Sequence, residues 1–189
     1  MKALNQYINE KFQVSKDNIR TYKYHPETKE ELIKAIQDKI EKEGLGTKDK
    51  PLNLNDIDTS NITDMSYLFD TDDGKLQKLS DNGYFDISDW DVSNVKNMVS
   101  MFANSHFDGD ISEWDVSKVK DMGAMFYFSY FNGNISNWDV SNVENMSSMF
   151  IYSHFMGDIS EWNVRKVKNM NAMFRACPID NDPPKWYKE

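Results

Sequence analysis

The stretch ISEWDVSKVKDMGAMF, residues 111–126, decides the fold, because nearly the same phrase also begins at residues 87, 135 and 159. Its Trp, Met and Phe positions each recur at a spacing of 24 residues. Repeats of this length are typical of proteins in which stacked copies cover one another's apolar sides. The rows are Trp90, Trp114, Trp138 and Trp162; Met98, Met122, Met146 and Met170; and Phe102, Phe126, Phe150 and Phe174.

An earlier copy, LNDIDTSNITDMSYLF at residues 54–69, has Ile57 in place of the tryptophan. It precedes the next copy by 33 residues, so nine residues have been inserted between them. We expect the insertion to lie in TDDGKLQKLSDNG, residues 71–83, and to form a surface excursion between two coils.

Each copy has the pattern of one short strand followed by one short helix. Ile111, Trp114 and Val116 match the L-x-x-L-x-L spacing of a leucine-rich-repeat strand. Ser141 with Glu144 three residues later is typical of a capped helix start. The spacing therefore predicts an α/β repeat fold, a leucine-rich-repeat-like solenoid of about five 24-residue coils, each with a short parallel strand and a short helix.

The chain divides into three parts: an α-rich N-terminal cap unit at 1–50, the repeat solenoid at 51–180 and a C-terminal tail or cap at 181–189. In the first part, Thr28 and Glu31 form a capping box and Gly44 suits a helix end, which predicts a helix at about 28–43. A second helix is expected at about 2–12. In the tail, we expect Trp186 or Tyr187 to fold back onto the last coil.

The wording D-I-S-x-W-D-V-S-x-V-x-x-M-x-x-M-F, at residues 110–126 and, with Asn134 first, at 134–150, resembles the BspA-like leucine-rich repeats. That family also occurs as a domain of unknown function in mycoplasmal surface lipoproteins. The resemblance covers residues 52–180. It implies a leucine-rich-repeat-like solenoid that is often displayed on bacterial surfaces and associated with adhesion or host-protein binding.

The repeated part is acidic. The formal net charge is −9, with 22 Lys and Arg against 31 Asp and Glu. Because equivalent residues of stacked coils lie about 4.8 Å apart, acids at one repeat position form a row. The polar residues between the inward Trp and Val give two rows: Asp56, Asp89, Glu113, Asn137 and Glu161, and Asp58, Asp91, Asp115, Asp139 and Asn163. These rows are interpreted as a docking face for a basic partner, as a calcium site, or as a solvated face without a ligand.

A second row follows each helix and holds Tyr127, Phe128, Tyr130 and Tyr152. Exposed aromatic side chains on a rigid scaffold are good contact anchors. The alternative is that half of them pack beneath the turns. Ser105, Ser129, Ser153 and Cys177 share one small, buried position, which predicts a structural cysteine. His106 and His154 flank Tyr130 at two periods' distance, about 10 Å, too far to share one metal ion.

The sequence lacks the motifs that are typical of several function classes. The sequence has no G-x-G-x-x-G, P-loop, G-x-S-x-G or H-E-x-x-H motif, so we expect no catalytic residue, cofactor or metal. The acidic charge disfavours direct nucleic-acid binding, and no window reaches the length of a membrane span. MKALNQYINEKF at the start lacks the apolar stretch of a signal peptide. We therefore expect a cytoplasmic location for the chain as written, and a surface location if an export signal has been removed.

The preferred hypothesis is a non-catalytic protein–protein recognition module that uses the acidic strand face and the aromatic turn row to bind a protein with a basic surface. The first alternative is an intracellular inhibitor whose acidic rows mimic nucleic acid in a basic protein groove. The second alternative is a bacterial surface adhesin. The residues expected to contact the partner are Asp89, Asp91, Glu113, Asp115, Asp139, Glu161, Tyr127, Phe128, Tyr130 and Tyr152.

Overall fold

The computed structural model describes residues 21–70 and 74–188. The expected helix at about 2–12 and residue 189 of the tail lie outside these residues. The elements are helix α1 (Lys29–Glu43), strand β1 (Leu52–Asn53), helix α2 (Gln77–Asn82), strand β2 (Phe85–Asp86) and a 3-10 helix, Pro178–Asn181. Strands β1 and β2 pair in parallel, with Leu52 opposite Phe85.

The repeated copies lie side by side with their equivalent residues aligned. Single parallel bridges join Asp64 to Asn97, and then Asn97, Asp121, Asn145 and Asn169 in succession. The Trp114 and Trp138 rings are 6.4 Å apart and parallel within 2°. The rings of Phe126 and Phe150 are 5.6 Å apart. Together the buried rows form one continuous core that runs from α1 to Cys177.

Within the described residues, the segments predicted as short helices form turns instead, because their backbone hydrogen bonds run largely between copies. The N–H groups of Met122 and Phe126 donate to carbonyl oxygens of the next copy, those of Asn145 and Met149, both at 2.9 Å. The N–H of Met125, in between, turns back to the Met122 carbonyl at 3.2 Å. An α-helix would instead use every N–H within its own segment.

Left-handed residues make this alternation possible. Ala124 and Phe128 have φ angles of 53° and 51°, and the equivalent residues of other copies do the same. Such a conformation costs about 1 kcal/mol or more for a residue with a side chain. The hydrogen bonds to neighbouring copies offset that cost. Among the described residues, the non-glycine residues with positive φ are Tyr67, Ser100, Asn104, Ala124, Phe128, Ser148, Tyr152, Ala172 and Ala176.

The described residues of the Ile-x-x-Trp-x-Val pattern likewise form turns where strands were predicted. The N–H of Trp114 donates to the Ile111 carbonyl within the same copy at 3.3 Å. The Trp138 indole N–H then donates to the Ile111 carbonyl from the next copy at 3.1 Å. A side chain thus makes the inter-copy link that strand backbone was expected to make. The same bond recurs at Trp90, Trp114, Trp162 and Trp186.

Helix α1 confirms the prediction for residues 28–43. Thr28 is the N-cap and accepts the N–H of Glu31 at 3.2 Å, while Glu31 accepts the N–H of Glu27 at 2.8 Å. Gly44 ends the helix with φ at 77°. The side of the helix that carries Leu32 and Ile36 is fully buried against the first copy.

The insertion is more than a surface excursion, so that expectation was wrong. Helix α2 lies within it, and Leu76, Leu79 and Ser80 are buried. The Ser80 carbonyl accepts the N–H of His106 at 3.0 Å, as Ser105 does for Tyr130 one copy later. The insertion therefore places Ser80 at the N-terminal end of the row of small buried residues formed by Ser105, Ser129, Ser153 and Cys177.

The C-terminal tail extends the tryptophan row. Trp186 follows Trp162 by the same 24 residues, and the two rings are 6.4 Å apart and parallel within 14°. The ring of Tyr187 meets that of Phe174 edge-on at 4.9 Å. The tail thus covers the Trp and Phe positions of the last copy.

Candidate recognition surfaces

The six predicted acidic contact residues are all exposed, and we call them the acidic face: Asp89, Asp91, Glu113, Asp115, Asp139 and Glu161. The first four line one shallow depression beside Trp90. The structure therefore brings acids of two successive copies together, as the row prediction requires.

The acids of the second row also stabilise turns. Asp115 Oδ1 accepts the N–H of Ser117 and Asp139 Oδ1 that of Ser141, both at 3.0 Å. The hydroxyl and N–H of Ser141 lower the pKa of Asp139. The sequence signal for this role is an Asp or Asn two residues before a Ser, which is typical of Asx-turns. Part of the acidic character is therefore explained by turn formation.

Asp56 and Asp58, the first-copy members of these rows, contact Lys and His side chains from outside the repeat. Asp56 contacts Lys39 at 2.7 Å and Lys23 at 3.1 Å, and His25 lies 3.4 Å from Asp58. Burial favours a higher pKa of Asp56, but the hydrogen bonds from Lys39 and Lys23 outweigh it and hold that pKa below its usual value. The exposed acidic face consequently begins in the second copy.

The predicted aromatic residues also lie on the surface, and we call Tyr127, Phe128, Tyr130 and Tyr152 the aromatic row. Phe128 is 44% exposed, Tyr130 50% and Tyr152 48%, whereas Tyr127 is partly buried. The rings of Phe128 and Tyr152 are 4.5 Å apart. The Tyr127 ring meets that of Phe128 edge-on at 4.7 Å.

Two histidines extend this row. The rings of His106 and His154 each lie 4.4 Å from that of Tyr130, on its two sides. Their Nδ1 atoms lie within hydrogen-bond reach of the carbonyls of Asp81 and Ser129.

Sequence reasoning missed Met156, which is 63% exposed, because it occupies the repeat position of Asp108 and Asn132.

Cys177 occupies a structural position. It is buried, its thiol donates to the Phe155 carbonyl at 3.2 Å, and burial raises the pKa of the thiol.

Among residues 21–70 and 74–188, no group of three or more His, Cys, Asp or Glu side chains is placed to hold a metal ion. Over the same residues, no helix combines the length and apolarity that a membrane span needs.

Comparison with known proteins gives one result. The model of the family described as "Mycoplasma protein of unknown function, DUF285" matches residues 45–150 and, in an overlapping alignment, 75–186. No curated protein and no solved structure matches this chain. Together the two alignments extend from the connector after α1 to Trp186, and so include every residue of the acidic face and the aromatic row.

Proposed function

The chain belongs to the DUF285 family of mycoplasma proteins of unknown function, and on that premise we propose that it is a non-catalytic module that recognises another protein. We also propose that the stacked copies form a leucine-rich-repeat-like solenoid of the BspA type. The contact surface would be the aromatic row together with the acidic face.

The observation that carries the proposal is the exposure of the aromatic row. Phe128, Tyr130 and Tyr152 are each close to half exposed, and all follow the same turn of neighbouring copies. A single exposed aromatic side chain is ordinary, but a contiguous set on a rigid support is typical of interaction sites. The inter-copy hydrogen bonds of residues 122–128 fix the backbone that supports these rings.

The acidic face gives the partner its expected charge. Its carboxylates lie in register on successive copies, and they are exposed. Charge complementarity of this kind raises the association rate and excludes acidic partners. We therefore propose a protein with a basic surface as the partner.

A variant that replaces Phe128, Tyr130 and Tyr152 with Ala tests the proposal. The immobilised wild-type chain and this variant would be incubated with the same cell extract and extracellular proteins, and retained proteins would be quantified by mass spectrometry. We expect at least one basic protein whose retention falls about tenfold or more, since truncation of an aromatic anchor costs more than 1 kcal/mol. The matched control replaces Glu30, Lys34 and Glu41 with Ala on the exposed side of α1.

The proposal is wrong if no retained protein depends on the aromatic row.

A nucleic-acid mimic is the second candidate function, which the register of Asp91, Asp115 and Asp139 favours. For that function, retention would fall steeply with salt and DNA or RNA would compete. Salt-tolerant retention of an extracellular protein would instead identify an adhesin.

A further inference from the structure

The last copy leaves part of its apolar row uncovered. Val164, Val167 and Met170 are partly exposed. Their equivalents in the fourth copy, Val140, Val143 and Met146, are at most 1% exposed. The rings of Trp186 and Tyr187 stack on Trp162 and Phe174, while Val164, Val167 and Met170 retain exposed apolar surface at the C-terminal end of the stack.

The same end also differs from the inner copies in its backbone hydrogen bonds. In the fourth copy, the N–H groups of Met146 and Ser148 donate to the Asn169 and Asn171 carbonyls at 2.8 and 2.9 Å. The equivalent groups of Met170 and Ala172 make no hydrogen bond within residues 21–70 and 74–188. These two donors lie on alternate residues, the arrangement with which an extended chain pairs.

The charge also reverses at this end. Residues 159–189 contain six Lys and Arg against four Asp and Glu, whereas residues 51–158 contain five against eighteen. Four exposed cations belong to the last copy, and two of them, Lys166 and Lys168, also contact Asn142 and Glu144 of the fourth copy. Neutral Asn163 stands where the second, third and fourth copies have Asp91, Asp115 and Asp139. The cations are Arg165, Lys166, Lys168 and Arg175.

We propose that the C-terminal end of the stack binds an extended acidic segment of another protein. Its backbone carbonyls would accept the N–H groups of Met170 and Ala172, and its apolar side chains would cover Val164 and Val167. Its carboxylates would lie near the four cations. Arg175 lies beside the aromatic row, because its carbonyl accepts the N–H of Tyr152 at 3.1 Å, but the apolar residues and backbone donors of this surface do not belong to that row. The variant Val167→Glu therefore tests this proposal without changing a residue of the aromatic row.

The charges disfavour a second copy of the same end as the occupant. In a pair related by twofold symmetry the same surface of both copies meets, so the cations of one copy, such as Arg165 and Arg175, would lie close to those of the other. An acidic segment whose backbone carbonyls accept the N–H groups of Met170 and Ala172 avoids this repulsion.

A peptide with the sequence of residues 135–152, ISNWDVSNVENMSSMFIY, provides the probe because it carries two acids, Asp139 and Glu144, and the apolar spacing of a coil. Its binding to the full chain would be measured by fluorescence anisotropy at low and high salt. We expect saturable binding that weakens with salt and is lost when both acids are replaced with Lys. Amide hydrogen exchange at Met170 and Ala172 should slow when the peptide is added.

Two variants test the location of this site. Val167→Glu, and separately the pair Lys166→Glu with Arg175→Glu, should each raise the peptide Kd about tenfold or more. The matched control, Lys96→Glu with Lys118→Glu, changes charge equally in inner copies and should leave Kd within about twofold. Unchanged binding in both C-terminal variants would overturn the proposal. So would a dimer of the chain in sedimentation experiments that Val167→Glu abolishes, because the occupant would then be a second copy.

Discussion

The two ends of the stack meet the same requirement in different ways. At the N-terminal end, Leu54 and Ile57 of the first copy are at most 1% exposed, and α1 packs with them in one core. At the C-terminal end, Val164, Val167 and Met170 remain partly exposed. The repeat motif therefore does not close its own core, and only a neighbouring element does so. Sequence outside the repeat decides which end is covered.

Charge follows the same division. Lys23, Lys39 and His25, all from outside the repeat, pair with the acids of the first copy. Lys39 is itself only 2% exposed, which makes its pairing with Asp56 and Glu43 obligatory. The segment before the repeat thus covers both the core and the acids of the first copy.

The largest expected effect contrasts the middle of the stack with its C-terminal end. Trp138→Ala removes a ring that stacks on Trp114 and donates to the Ile111 carbonyl, so we expect a loss of about 3 to 5 kcal/mol in the free energy of unfolding. Trp186→Ala should cost about half as much, because Trp186 is only partly buried and lies at the end of the row. Urea titrations of both variants measure the difference.

Trp138→Phe is the matched control, since it retains an aromatic ring and removes the N–H. It should recover more than half of the loss. Equal losses for Trp138→Ala and Trp186→Ala would mean that the end of the stack is packed as tightly as its middle.

The next effect concerns the covered acids. Asp56→Asn leaves the buried ammonium of Lys39 with Glu43 alone, and we expect the free energy of unfolding to fall by about 2 to 3 kcal/mol at pH 7. Asp91→Asn, an exposed acid of the other row in the second copy, should change it by less than about 0.5 kcal/mol. A loss of similar size in both variants would contradict the role that we assign to α1.

The Asp56 pair also predicts a pH dependence. Its pKa in the folded chain lies below the usual 3.8, so its contribution is fully present above about pH 5 and is lost as the pH falls through the folded value. The gap in stability between wild type and Asp56→Asn should therefore be constant from pH 5 to 8 and narrow below pH 4. Urea titrations at pH 7, 5, 4 and 3 measure it. A gap that widens in acid would mean that the pKa is raised.

The period could be read from the sequence, and so could α1, because each depends on apolar spacing and capping residues. The Trp, Met and Phe rows, the Thr28 cap and the buried position of Cys177 follow from side-chain size and polarity alone. The exposed positions of the acidic face follow from the same alternation. These features do not depend on which backbone conformation connects the inward residues.

The backbone conformation itself could not be read from the sequence. Val119, Met122, Met125 and Phe126 fit a helical face, yet their segment alternates between turns and inter-copy hydrogen bonds. The deciding residues, such as Ala124 and Phe128, take left-handed φ angles that their side chains do not favour. Hydrogen bonds to neighbouring copies determine these φ angles, so the residue pattern within one copy does not indicate them. The 24-residue spacing of Trp186 was the one available signal that the tail continues the stack.

A smaller effect compares two equivalent valines. Val143 is fully buried between copies, and Val143→Ala should cost about 2 kcal/mol. Val167 occupies the same position in the last copy but is partly exposed, so Val167→Ala should cost about 1 kcal/mol or less. If the peptide of residues 135–152 covers Val167, its addition should increase the cost of Val167→Ala and leave that of Val143→Ala unchanged. Thermal melts with and without peptide measure both.

The smallest effect on stability belongs to the triple variant Asp91→Asn, Asp115→Asn and Asp139→Asn. Each carboxylate accepts the N–H of a serine two residues later at 3.0 Å, and an amide oxygen can accept the same bond. The last copy already contains this substitution, because Asn163 Oδ1 accepts the N–H of Arg165. The melting temperature should therefore shift by less than about 3 °C. Binding of a basic partner should nevertheless weaken and lose much of its salt dependence, because three exposed charges are removed from the acidic face. Unchanged affinity and salt dependence, measured by titration calorimetry at two salt concentrations, would assign these aspartates to turn formation alone and leave recognition to the aromatic row.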